Sequence, residues 1–195
     1  MVLIVGITGA TGAIYGIRLL EVLSAIEGME THLIISEAGE TTIKCETEWT
    51  VEAVKNLATY TYDIKDMGAR ISSGSFPRDG MIIAPCTIKT MAALANSYNE
   101  NLIIRSGDVN LKERNKLLLL VRETPLHLGH LRSMQQLTEM GAIIMPPVPA
   151  FYHRPKTIED IVDYTVGKML DTMGIKHNLF RRWPGCNVEG EMFQE

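Results

Sequence analysis

Val2-Leu3-Ile4-Val5-Gly6, continued by Ile7-Thr8-Gly9-Ala10-Thr11-Gly12, is the stretch on which the fold turns. It is apolar at consecutive rather than alternate positions, the pattern of a strand buried on both faces. It ends in glycine, and a helical pattern follows from Ala13 to Ile26. The unit recurs along the chain. Thr31 to Ile35 reads as a second buried strand, with Ser36 placed to cap the helix after it. Met81 to Ala84 is a third, followed by a helix from Thr87 to Ala95. Leu117 to Val121 is a fourth, flanked by a helix on either side. Ala142 to Met145 is a fifth, and Ile158 to Met173 makes a closing helix. Buried strands alternating with helices predict an α/β protein with a mainly parallel, three-layer sheet. Met67 to Asp79 and the turn Pro146-Pro147-Val148-Pro149 read as irregular.

With 195 residues, one domain is expected over 1–185, followed by a polar tail at 186–195. A net charge of −4 gives no reason to expect nucleic-acid binding, which needs an excess of Lys and Arg. No apolar run reaches membrane-span length, and the N-terminus enters a strand with no basic leader, so a cytoplasmic protein is expected. Cys45, Cys86 and Cys186 form no zinc-type spacing, and the five histidines show no HExxH pattern. No metal site is expected.

In open α/β sheets, ligands lie beyond the carboxyl ends of the strands. That rule gathers Thr8 to Gly12, Ser36, Pro85 to Thr90, Arg122 to Pro125 and Pro146 to Tyr152 into one crevice. The glycine turn lets the backbone approach a ligand, and amides at a helix start suit an anion. Its GxxGxxG spacing differs from the dinucleotide fingerprint, and Ser36 stands where a ribose-binding acid would end the second strand. Cys86-Thr87-Ile88-Lys89-Thr90 repeats the logic at a second helix start, although Thr87 alone is an ordinary cap. Arg122-Glu123 follows a wholly apolar strand and reads either as anion-binding groups or as a structural ion pair. Arg105, Lys112 and Arg114 are placed with Glu113 on the preceding helix, where charges are usually just solvated. Tyr152 and Trp183 lie in turns where they either pack down or line a site for a cation-forming apolar group.

Tyr164-Thr165-Val166-Gly167-Lys168 satisfies the YxxxK pattern of short-chain dehydrogenases, with Tyr and Lys on one helix face. Two residues match easily by chance, and little chain remains after Lys168 for that family's substrate region.

Taken together, the segments resemble the UbiX flavin prenyltransferases, in the branch accompanying phenolic-acid decarboxylases. The resemblance rests on Thr8-Gly9-Ala10-Thr11-Gly12-Ala13, Ile71-Ser72-Ser73-Gly74-Ser75-Phe76, Ala84-Pro85-Cys86-Thr87-Ile88-Lys89-Thr90, Asp108-Val109 with Leu111-Lys112-Glu113-Arg114, Arg122-Glu123-Thr124-Pro125-Leu126 and Pro149-Ala150-Phe151-Tyr152. It implies a flavodoxin-like or Rossmann-like fold assembled as a homododecamer. It also implies metal-independent transfer of the prenyl group of dimethylallyl monophosphate to reduced flavin mononucleotide (FMN), and a UbiD-type decarboxylase as recipient of the product. By the same resemblance, Gly9, Ala10, Thr11, Ser36, Thr87, Ile88, Lys89, Thr90 and Arg122 fall at flavin-site positions. Arg105, Lys112, Arg122, Glu123, Tyr152 and Lys168 fall where the family holds the prenyl phosphate. Thr11 and Glu46 match positions of proton handling, and Trp183 an aromatic beside the prenyl group. Glu123, odd among phosphate-binding cations, reads on chemical grounds as a group that orients an arginine or, if neutral, donates a proton to the leaving phosphate. The chain departs from the pattern with Thr87 for Ser and with Lys168 for Arg, which loses bidentate phosphate geometry. Two other readings share the fold or the ligand. A flavin-dependent cysteine decarboxylase would need an Asn that Pro85 to Thr90 lacks. A non-catalytic FMN carrier subunit would need no second phosphate pocket.

Overall fold

The apolar runs do form strands, and the six strands of the sheet pair in parallel. The computed structural model describes residues 1–186. In chain order the elements are β1 Val2–Ile7, α1 Ala13–Ser24, β2 Glu30–Ile35, α2 Glu37–Glu46, α3 Val51–Lys55 and β3 Tyr60–Tyr62. Then come β4 Gly80–Cys86, α4 Ile88–Ala95, α5 Leu102–Lys112, β5 Lys116–Val121, α6 Leu128–Met140, β6 Ile143–Ile144 and α7 Ile158–Met173. Contacts gather the chain into two compact units, Met1–Pro147 and Val148–Glu195. The whole sheet lies in the first unit, and α7 lies in the second. Of the polar tail expected at 186–195, residues 187–195 lie outside the described residues.

The sheet order is β3-β2-β1-β4-β5-β6. Chain direction across the sheet reverses between β1 and β4, because β2 and β3 grow to one side and β5 and β6 to the other. Right-handed crossovers therefore send the two sets of helices to opposite faces. Residues alternating along the strands, such as Ile4, Ile34, Met81, Ile83, Leu117 and Leu119, share one buried cluster with Met91 and Leu94 of α4 and Ile103 of α5. Val5, Ile82, Leu118 and Leu120 point to the other face and are fully buried too. At roughly 1.5–3 kcal/mol for each large apolar side chain removed from water, these layers dominate the stability of the unit.

Caps set where the helices begin. The side chains of Ser36, Thr50, Thr87, Asn101 and Thr157 each accept an amide from the first turn of the following helix. Thr157 and Asp160 complete a reciprocal capping box on α7. Observed bounds match the expected ones closely, with α1 stopping at Ser24 and β6 contracting to two residues. Arg114 is a correction: it stands beyond the end of α5 with φ 60° rather than on the helix. The irregular stretch after β3 contains a single 3-10 turn, Arg70–Ser72. Among the described residues no helix is long and apolar enough to cross a membrane.

Candidate active site

The reversal point between β1 and β4 is where an open sheet of this kind leaves a crevice, and two hollows lie there. The larger is a cleft of about 480 Å³ whose lining includes Thr8, Gly9, Ser36, Thr87, Lys89, Thr90 and Asn101. The second, about 290 Å³, is lined by Gly9, Ala10, Thr11, Thr87, Ile88, Arg122 and Glu123. They share Gly9 and Thr87, so the two spaces adjoin at those residues.

Thr8 is the pin of the site. Its hydroxyl donates to the Pro85 carbonyl at 2.7 Å and accepts the Thr87 amide at 2.9 Å, tying the end of β1 to the end of β4. Thr87 in turn accepts the Thr90 amide and donates to the Thr90 hydroxyl at 3.0 Å. The cap thus uses one first-turn amide of α4 and leaves those of Ile88 and Lys89 without an intrahelical acceptor, a standing invitation to an anion. Ser36 works the same way on α2, accepting the Gly39 amide at 3.0 Å.

The glycine turn is held from a distance. Gly12 has φ 97°, in the left-handed region where a side chain is disfavoured. Its amide donates to the Glu46 carboxylate at 2.8 Å, across 34 positions of sequence. Glu46 is thereby brought against the Thr11-Gly12 turn, joining two residues expected to share proton handling. Gly9 meets α2 so closely that an added Cβ would fall on the Ala38 side chain, about 3.0 Å from its carbonyl carbon.

Arg122 and Glu123 both reach the smaller hollow, but not as a mutual pair. Glu123 accepts the Thr124 amide at 3.0 Å, and among the described residues no carboxylate is in ion-pair contact with Arg122. A guanidinium at a strand's carboxyl end, beside two helix starts, suits a bound anion. Lys89 enters the larger cleft while pairing with Glu100 at 2.8 Å, which holds its ammonium above the ordinary range.

Arg105 and Lys112 stand elsewhere within the chain. Arg105 donates to the Ser72 carbonyl at 3.1 Å and pairs with Asp108 at 3.2 Å, while Lys112 pairs with Glu113. Neither lines the hollow that holds Arg122. In the second unit, Tyr152 meets Trp183 edge-on with ring centroids 5.5 Å apart, and Tyr164 at 5.9 Å. Burial, then the Tyr164 hydroxyl, pushes the Tyr152 phenol above its ordinary range. Lys168 is exposed on α7, and Tyr164 belongs to this aromatic group, stacked on His153 at 5.0 Å.

Sequence reasoning missed several lining residues. Ile64 and Lys65 reach the larger cleft from the loop after β3, an element too short and exposed to be read in advance. Glu100 and Asn101 were legible only through Asn101, whose side chain caps α5.

Comparison with known proteins agrees with this geometry. The Flavoprotein family pattern matches residues 1–176. A flavin prenyltransferase UbiX from Thauera aromatica is 57% identical over 192 residues, covering 98% of each chain. The crystal structure of AnUbiX (PadA1) in complex with FMN and dimethylallyl pyrophosphate superposes with a TM-score of 0.93 at 48% identity, covering 95% of this chain and 98% of that one. A dodecameric FMN-dependent UbiX-like decarboxylase from Escherichia coli O157:H7 gives the same TM-score at 46% identity, covering 95% and 100%. The chain belongs to the flavoprotein family and, within it, to the UbiX-type flavin prenyltransferases.

Proposed function

We propose that the protein joins the dimethylallyl group of dimethylallyl monophosphate to N5 and C6 of reduced FMN, releasing phosphate and giving prenylated FMN for a UbiD-type decarboxylase. The observation that carries this reading is the pair of adjoining hollows at the β1–β4 reversal, sharing Gly9 and Thr87, with Arg122 and Glu123 in the second. A carrier of FMN would need only the first. Reduced FMN supplies the nucleophilic nitrogen and carbon when bound.

The residues do the rest by charge and position. Gly9, Ala10, Thr11, Ser36, Thr87, Ile88, Lys89, Thr90 and Arg122 hold the flavin through backbone amides, hydroxyls and two cations. A phosphate ester leaves slowly until its charge is neutralised, and preorganised cations lower that barrier. We assign Arg122 to that task and, by the resemblance, Arg105, Lys112, Tyr152 and Lys168 with it, although Arg105 and Lys112 do not line the hollow of Arg122 within one chain. Glu123 gives a proton to the departing phosphate or orients an arginine. Glu46, fixed by the Gly12 amide, and Thr11 move the proton displaced near N5. The ring faces of Tyr152 and Trp183 stabilise positive charge developing on the prenyl group, by about 0.5–2 kcal/mol each. The chain acts in the cytoplasm as a homo-oligomer, taken as a dodecamer like the E. coli relative.

The test is anaerobic incubation with reduced FMN and dimethylallyl monophosphate, followed by the mass of the extracted flavin. A five-carbon gain is expected, lost in Glu123→Gln and Tyr152→Phe while FMN stays bound. Bound FMN with no gain in the wild type would leave the carrier reading in place.

A further inference from the structure

Trp183 lies in a segment that returns along α7 and is tied to it at successive turns. His177 accepts the Leu179 amide on Nδ1 at 3.2 Å, so its proton sits on Nε2, which donates to Asp171 Oδ1 at 3.1 Å. Arg182 closes on the same carboxylate with two bonds, Nη1 to Oδ2 at 3.0 Å and Nη2 to Oδ1 at 2.7 Å. Phe180, between them, packs on Tyr164 with ring centroids 4.9 Å apart. The close approach depends on Gly167: a Cβ there would stand 2.5 Å from Phe180 Cε1 and 2.6 Å from His177 Cε1. The next residue after Arg182 is Trp183, half exposed and edge-on to Tyr152 at 5.5 Å.

We propose that Asp171 is a positioning residue for prenyl transfer: by gripping His177 and Arg182 together, it fixes the segment so that Trp183 stands against Tyr152. This deepens the functional reading above and rests on it. An exposed ion pair alone would hold little. Here the carboxylate is only 23% exposed, both its oxygens are used, and the Arg182 fork is bidentate, the geometry that gives charged pairs strength and direction. A half-exposed indole has little packing of its own to keep it in place, so its orientation passes to the residue before it. Arg182 and then His177 also hold the Asp171 carboxyl below its usual range, keeping the grip charged.

The test uses the full-length protein carrying Trp49→Phe, which leaves Trp183 as the single tryptophan. Asp171→Asn keeps the size and loses the charge; Asp171→Glu restores the charge; Gly167→Ala loosens the same segment independently. Acrylamide quenching and anisotropy follow Trp183, while FMN titration and single-turnover prenylation with dimethylallyl monophosphate follow function. Asp171→Asn and Gly167→Ala should free Trp183 and lower kcat/KM for the donor about ten- to a hundredfold, about 1.4–2.8 kcal/mol. FMN affinity should stay within about twofold, and Asp171→Glu should recover part of the loss. Unchanged Trp183 quenching, or freed Trp183 with unchanged donor kinetics, overturns the proposal. So does a loss of FMN binding and thermal stability in step with activity, which would mark a purely structural carboxylate. A wild-type protein that binds FMN but adds no prenyl group overturns the transferase reading itself, and the quenching result then reports the grip separately.

Discussion

Gly9 and Ala38 come from successive crossovers of the sheet, and the space between them is already full. Gly9→Ala must therefore displace the start of α2, which carries Ser36 and one wall of the cleft. Overpacking of this kind costs roughly 1–3 kcal/mol. FMN affinity should fall about tenfold or more, and Ala38→Gly in the same molecule should restore part of it. Fluorescence titration of the four variants checks this; additive losses would mean that the contact is not what limits Gly9. Lys168 invites the opposite experiment. Lys168→Arg supplies the planar fork that matches a phosphate, so KM for dimethylallyl monophosphate should drop about three- to tenfold with kcat little changed. A raised KM would remove Lys168 from the donor site. At this scale the sequence was informative where a residue directly follows a buried strand, as Thr8, Ser36, Thr87 and Arg122 do, because the strand's end places it. Arg105 and Lys112 show the limit. They lie on a helix, where position along the chain says nothing about whether a carbonyl or a neighbouring carboxylate has already claimed the charge, as Ser72, Asp108 and Glu113 have.

β3 was invisible in the sequence because three residues, two of them exposed, carry no periodicity. It forms because its tyrosines find partners across the strand. His32, fully buried on β2, bonds the Tyr62 hydroxyl at 2.9 Å and Glu30 at 2.8 Å, and stacks on Tyr60 at 5.0 Å. Arg70 lies over Tyr60 at 4.4 Å and closes the edge. Burial pushes the imidazole below its ordinary 6.5, Arg70 and Arg78 add to this, and Glu30 pulls partly back. The sign follows: below 6.5 the unfolded chain gains a proton that the folded chain resists. The contribution of His32 is thus complete above that value and is lost as pH falls towards the folded pKa. Denaturation between about pH 7.5 and about pH 5.5 should cost the wild type up to about 1.4 kcal/mol per pH unit more than His32→Gln. Equal slopes would show that His32 takes up its proton in the fold as readily as in the unfolded chain. The same edge bears on function, since Ile64 and Lys65 just past β3 line the larger cleft.

Around the start of α6, exposed leucines form an apolar surface that the sheet unit does not explain. α6 buries only Leu137 fully, yet Leu126, Leu128 and Leu131 around its start are 42%, 59% and 49% exposed. Leucines grouped in this way on a helix start are more than the scattered apolar residues of an ordinary monomer surface, and such patches mark contacts. A sequence reading could place these leucines on a helix but could not find the face, because the core-facing stripe and an assembly-facing stripe look the same until the core is built. The homo-oligomer proposed above offers one occupant, a further copy of the chain. Leu128→Glu and Leu131→Glu alter exposed side chains, so each protein should fold with its sheet intact. Burying each leucine on assembly is worth roughly 1.5–3 kcal/mol, and a buried unpaired carboxylate opposes assembly further. Each variant should therefore weaken assembly by at least about tenfold, and sedimentation should show smaller species at concentrations where the wild type stays assembled. If both sediment with the wild-type mass, this face is not the contact, and the leucines answer to some other partner.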